Sequence, residues 1–185
     1  MVSMKPPGQI MVSPVGDIAD DLCGAVAQKA SEMFKADVRI TPFLPDIDFA
    51  YDVDRNQYWS TRVLEELEKN VPDHCLKVVA ITKKDLFIPI LTHVYGEAQL
   101  GGRAAVVSIS RLNTGLDAMD AEKFMDRIVK EAIHELGHTF DLRHCEDPLC
   151  IMHYCRKIAD VDQKLNRFCR YCSIFLADSI KTLEK

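Results

Sequence analysis

One short run of this chain carries three histidines whose spacing suits a metal: His134-Glu135-Leu136-Gly137-His138, then His144 six residues further on. Four residues apart on a helix, His134 and His138 project from one face, as two ligands of one zinc ion must. Glu135 stands beside them as a candidate general base, a carboxylate placed to take a proton from a metal-activated water. His144 lies too far along to share that helical face, so the chain has to turn back to deliver it. Three protein ligands with one position left open is the arrangement of a catalytic zinc. A lone helical histidine is usually solvated or packed in a core. Two at this spacing beside a glutamate, with a third following, are expected to be ligands.

A second constellation follows at once. Seven cysteines occur, at 23, 75, 145, 150, 155, 169 and 172. Cys145-x4-Cys150 and Cys169-x2-Cys172, 18 residues apart, resemble the two half-sites of a tetrahedral thiolate zinc site. Cys155 is a neighbour able to replace one ligand, whereas Cys23 and Cys75 sit in apolar surroundings as small buried hydrophobes. Two zinc ions per chain are therefore expected, one catalytic and one structural. The odd cysteine count and the early Lys5-Pro6-Pro7, which interrupts any apolar leader, argue against a secreted disulfide framework. A cytoplasmic location is expected.

Composition narrows the classes further. With 185 residues, 48% hydrophobic and 28% charged, the chain suits one soluble domain with a sizeable core. A net charge of -5 without a long basic run disfavours nucleic acid as a partner. No apolar run approaches the ~18 residues of a membrane span. Nothing points to an oligomer, and a monomer is expected.

The elements that must position these residues are legible in outline. Strands are expected at Gln9–Val15, Asp37–Pro42, Cys75–Thr82, Leu91–Ala98 and Arg103–Ser110, with Gly101-Gly102 turning between the last two. Apolar spacing predicts helices over Asp17–Phe34, with Asp17 as N-cap, and over Asp54–Lys69. A long helix is expected to start near Asp117–Asp120 and run through the histidines, with Met125, Ile128, Ala132, Leu136 and Phe140 forming its apolar stripe. His134 and His138 fall off that stripe, free to line a cleft. Gly137 costs the helix roughly 1 kcal/mol against alanine, which suggests a close approach there. A last helix is expected from about Asp160 to the C-terminus.

Taken together, these motifs resemble the metzincin clan of zinc proteases, in which H-E-x-x-H-x-x-G-x-x-H precedes a methionine in a tight turn. Within that clan the chain is similar to the archaemetzincins. Cys145 directly follows the third histidine, Cys150-Ile151-Met152 fits their C-x-M element, and Cys169-Arg-Tyr-Cys172 closes the pattern. Asp160-Val-Asp-Gln-Lys164 also looks like that family, and weaker similarity at Tyr95-Gly-Glu97-Ala98 extends across most of the chain. The resemblance implies an α+β fold: a three-layer upper lobe, a mixed twisted sheet of about five strands with flanking helices, and a small zinc-stabilised C-terminal lobe. It implies one catalytic domain over 1–185, the upper lobe to about 144 and the lower lobe from 145 to 185.

It also implies peptide hydrolysis, with Met152 as a hydrophobic floor beneath the ligands and an extended peptide along an edge strand, for which Leu91–Ala98 is the candidate. Tyr154, two residues after the methionine, matches a tyrosine that other branches of the clan use as a further ligand or oxyanion donor. His153 has no evident task and is expected in solvent. One departure stands inside the motif: Asp141 occupies the clan's glycine position, where the chain must go left-handed for His144 to reach the metal. Aspartate tolerates that conformation better than most residues. The alternative reading is a zinc-stabilised peptide-binding protein with little or no cleavage, against which the retained Glu135 argues.

Overall fold

A strand that is apolar at successive positions has to be covered on both faces, and the central strands here are of that kind. The structure, a computed structural model, describes residues 8–183. The Lys5-Pro6-Pro7 stretch and the last two residues of the expected C-terminal helix lie outside that range. In chain order the elements are β1 (Gln9–Val15), α1 (Asp20–Phe34), β2 (Asp37–Ile40), β3 (Tyr51–Asp52), β4 (Gln57–Trp59), α2 (Ser60–Asn70) and β5 (Cys75–Thr82). There follow β6 (Leu86–Phe87), β7 (Gly96–Ala98), β8 (Ala104–Ser108), α3 (Ala121–Thr139), α4 (Ile158–Gln163) and α5 (Arg170–Leu183).

The main sheet runs β2-β1-β5-β8-β7, parallel throughout except for β7, which is antiparallel to β8. Alternation sorts its side chains into two cores. Ile10, Val12, Val79, Ile81, Ala105 and Val107 pack against α1 and α3. Met11, Val78, Ala80, Ala104 and Val106 pack against Val63, Leu64 and Leu67 of α2. The result is the expected three-layer α+β arrangement with a mixed five-stranded sheet. The first core continues past α3 into Cys150, Ile151 and Met152 and into Leu176 and Ile180 of α5. Among the described residues no helix is long and apolar enough to cross a membrane.

Several boundaries differ from expectation. Asp17 is not a cap: α1 starts at Asp20 behind Ala19, and Asp17 pairs instead with Lys83. Residues 54–59 are not helical, because the Asp54-Arg55-Asn56 turn, with Asn56 left-handed at φ 52°, joins β3 to β4. Of Leu91–Ala98 only Gly96–Ala98 pairs as strand. The rest is a loop held by Arg55 Nη2 donating to Leu91 O and Val94 N–H to Leu86 O. The C-terminal helix is two helices: Lys164 turns extended (ψ 147°) at the end of α4 and its side chain enters the interior.

Candidate active site

The last two turns of α3 deliver His134, Glu135 and His138, and the way that helix ends decides where His144 goes. Asp141 is left-handed at φ 64°. Its N–H bonds to His138 O (2.9 Å), and Leu142 N–H bonds back to Gly137 O (3.1 Å), the crossed pair of a Schellman motif. Aspartate therefore does the clan glycine's work, and the turn survives. The freed carbonyls are tied elsewhere as well: Gly101 N–H donates to His138 O (2.9 Å), and Lys77 Nζ donates to Thr139 O (2.6 Å). The helix end is fastened both to the β7–β8 turn and to β5.

The three imidazoles meet as a set. Their ligand atoms all lie within 4.8 Å of one another. His134 Nδ1 faces Ile151 O at 2.8 Å and His138 Nδ1 faces Leu142 O at 2.6 Å, so each Nδ1 must carry the proton. That leaves both Nε2 lone pairs converging at 3.1 Å, which only a shared cation or proton can satisfy. Burial lowers the proton affinity of all three, His138 to about 4, so they are neutral and ready as ligands near neutral pH. The donor set fits a zinc ion.

Met152 and Tyr154 flank this set. Met152 is fully buried under α3, and a Cβ on Gly137 would come within 2.5 Å of its Sδ. The glycine in mid-helix thus makes room for the methionine floor. Tyr154 leans its half-exposed ring on His144, centroids 4.8 Å apart. His153 is not solvated as expected: it is half-buried, with Nδ1 on Cys145 O at 2.9 Å.

Glu135 is buried, and burial with the neighbouring Glu131 pushes its carboxyl well above the usual carboxylate range. Edge strand β7 crosses directly over it. A Cβ on Gly96 would lie 2.6 Å from Glu135 Cγ, so that residue has to be glycine. One turn earlier on the same helical face, Glu131 Oε1 lies 2.7 Å from Lys164 Nζ, both side chains buried. Cys155 also lies beside the Lys164 ammonium. Charge attraction from Glu131 and Cys155 outweighs burial and keeps Lys164 protonated. This pair, Gly96 and Lys77 were missed from the sequence. The i–4 position of Glu131 relative to Glu135 was the available signal for the first.

Cys145, Cys150, Cys169 and Cys172 come together with their sulfurs within 4.8 Å of one another. Cys169 N–H points at Cys150 Sγ (3.3 Å) and Cys172 N–H at Cys169 Sγ (3.5 Å), as thiolate-directed amides do. Burial pushes Cys150 up to about 11 and Cys172 higher still. For Cys169 the Cys172 N–H and neighbouring thiols outweigh burial and lower it. A cation that replaces the thiol protons suits this set, and it fits zinc. Cys155 stays outside the group, near His153 O. Cys23 and Cys75 are buried and free, as expected.

A cleft of about 900 Å³ runs over the three histidines, lined also by residues 94–98, Arg143, Tyr154 and Arg156. The sequence pattern of Peptidase family M54 matches residues 45–178. The archaemetzincin of Methanocaldococcus jannaschii is 36% identical over 175 residues, covering 92% of this chain and 93% of that one. The archaemetzincin of Methanopyrus kandleri is 40% identical over 134 residues, covering 72% of this chain and 74% of its own. The crystal structure of the M. kandleri protein superposes with a TM-score of 0.84 at 32% identity, covering 94% of this chain and 96% of that one.

Proposed function

The chain belongs to the archaemetzincins, peptidase family M54, and is a zinc metallopeptidase; we propose that Glu135 is its general base and that His134, His138 and His144 are the ligands of the catalytic zinc. The observation that carries this reading is the pair of Nε2 atoms converging at 3.1 Å beside a buried carboxylate. Zinc bound there supplies a Lewis acid that activates water and polarises the scissile carbonyl. Glu135, whose carboxyl holds a proton more tightly than an exposed glutamate does, takes the water proton and hands it to the leaving amine. The carbonyls of Ile151 and Leu142 fix the tautomers of His134 and His138, and Met152 closes the space beneath them.

Cys145, Cys150, Cys169 and Cys172 take a second, structural zinc, which makes two per chain. The chain forms one catalytic domain, with an upper lobe to about residue 144 and a lower lobe from 145 that the second ion orders. Because β7 is the sheet edge above the cleft, a substrate peptide lies extended against it and adds as a further strand. Tyr154, against His144 at the cleft mouth, is placed to stabilise the oxyanion.

Replacing Glu135→Ala tests the assignment of the base. The variant is expected to keep its zinc content by metal analysis and to lose roughly 10²–10⁴-fold in peptide turnover. Equal cleavage by variant and parent would remove Glu135 from the chemistry.

A further inference from the structure

The charged groups around the cleft divide by sign in a way that points to the substrate. Its carboxylates are engaged or enclosed: Glu97 accepts from the hydroxyls of Ser60 and Thr61, Glu131 pairs with Lys164, and Glu135 lies buried under Gly96. Its two guanidinium groups are not. Arg143 and Arg156 both line the cleft, and among the described residues neither has an ion-pair or side-chain hydrogen-bond partner. Each is tied to the metal-binding residues by position. Arg143 is the chain neighbour of His144, and the Arg156 guanidinium sits 5.9 Å over the ring of Tyr154, which itself rests on His144. The chain as a whole carries a net charge of -5, so these two unpaired cations stand out against an acidic background.

We propose that Arg143 and Arg156 form a carboxylate-binding wall, so that the enzyme selects peptides presenting a carboxylate there. A planar guanidinium binds a carboxylate through two parallel hydrogen bonds, which gives direction as well as attraction. The arginines line the same cleft as β7 and the histidines. A peptide held along β7 by its backbone would therefore also be read by its charge. The carboxylate comes either from an Asp or Glu side chain or from the peptide's own C-terminus. This inference rests on the peptide-cleaving reading of the cleft.

Binding tests it without turnover, in zinc-loaded Glu135→Ala protein. Calorimetry would compare short Ala/Leu peptides carrying one Glu at each position in turn with the same peptides carrying Gln, each with a free or amidated C-terminus. At low salt one class of carboxylate should bind about tenfold tighter than its neutral match, the scale of one charge-assisted hydrogen bond. The preference should shrink as salt rises. A preference at one Glu position identifies a side-chain carboxylate; a preference for the free acid identifies the C-terminus. R143Q/R156Q protein of unchanged zinc content should lose the discrimination. Equal affinity for acidic and neutral peptides overturns the proposal, as does discrimination that survives both substitutions. Peptide hydrolysis by the parent protein is read separately: its absence, with carboxylate discrimination intact, would remove the catalytic reading and leave the wall standing.

Discussion

The three histidines and the four cysteines meet in adjacent positions, His144 and Cys145, yet they are built on opposite plans. Two of the histidines ride on one long helix, with each Nδ1 already fixed by a carbonyl. Burial keeps their rings neutral, so little has to change when a cation arrives. The cysteines come from two irregular segments and the start of α5. Burial drives the thiols of Cys150 and Cys172 toward the protonated form, so a cation arriving there must displace protons. Both groups are assembled, each within 4.8 Å; what differs is their proton inventory and their support. The histidines are braced by a sheet and three helices, whereas residues 145–169 contain only the six-residue α4 and lean on the core beneath α3.

This contrast is broken most severely by Cys172→Ser. It is expected to reduce the zinc content from two ions to one and to lower stability by several kcal/mol, because structural zinc binding is folding free energy. Denaturant unfolding and metal analysis check it. An unchanged midpoint with two ions retained would make the cysteines passengers.

A smaller effect sharpens the contrast through protons. Zinc added to metal-free protein near pH 7 should release protons almost wholly from the cysteines, since burial has already emptied His138 down to about 4. Calorimetry in buffers of different ionisation enthalpy reads the number released, and His134→Ala should leave it nearly unchanged. In the metal-free protein the same burial has a stability consequence. The folded value of His138 lies below its ordinary 6.5, so its contribution is whole above about 6.5 and is lost as the pH falls toward about 4. Stability rising on acidification through that window would contradict the burial.

The smallest effect is expected at Asp141→Gly. Removing a side chain from φ 64° should stabilise the protein by at most about 1 kcal/mol, with zinc binding preserved. Loss of metal in that variant would mean that the carboxylate, and not the backbone shape, delivers His144.

Much of the site was legible because its histidines and cysteines follow helical and pairwise spacings. The histidine set and the cysteine set without Cys155 are brought together as that spacing suggested, and Met152 and the left-handed Asp141 stand where the family resemblance implied. The strand at Cys75–Thr82 was equally plain, since unbroken apolar residues leave a parallel strand few alternatives. What stayed hidden depends on neighbours remote in sequence. Lys164 entered only as the end of a family-like segment inside an expected helix, and nothing in the sequence near it announced its buried meeting with Glu131. The loop before Gly96 carries strand-like residues, yet Arg55 holds it by its carbonyls from a distant turn. His153 lost its expected solvent for the same reason, to a carbonyl eight residues away.

Gly96 has a consequence beyond packing. Edge strand β7 and the Glu135 carboxylate occupy one shared volume, with no room for even a methyl group between them. The rim at Leu91 or Leu100 carries no such constraint. At residue 96 the smallest step away from glycine must displace either Glu135 or the strand itself, since an added Cβ would meet Glu135 Cγ at 2.6 Å and Val106 O at 2.7 Å. With Glu135 as the proposed base, the proposed chemistry is exposed to change at a residue that is neither a proposed ligand nor a proton carrier.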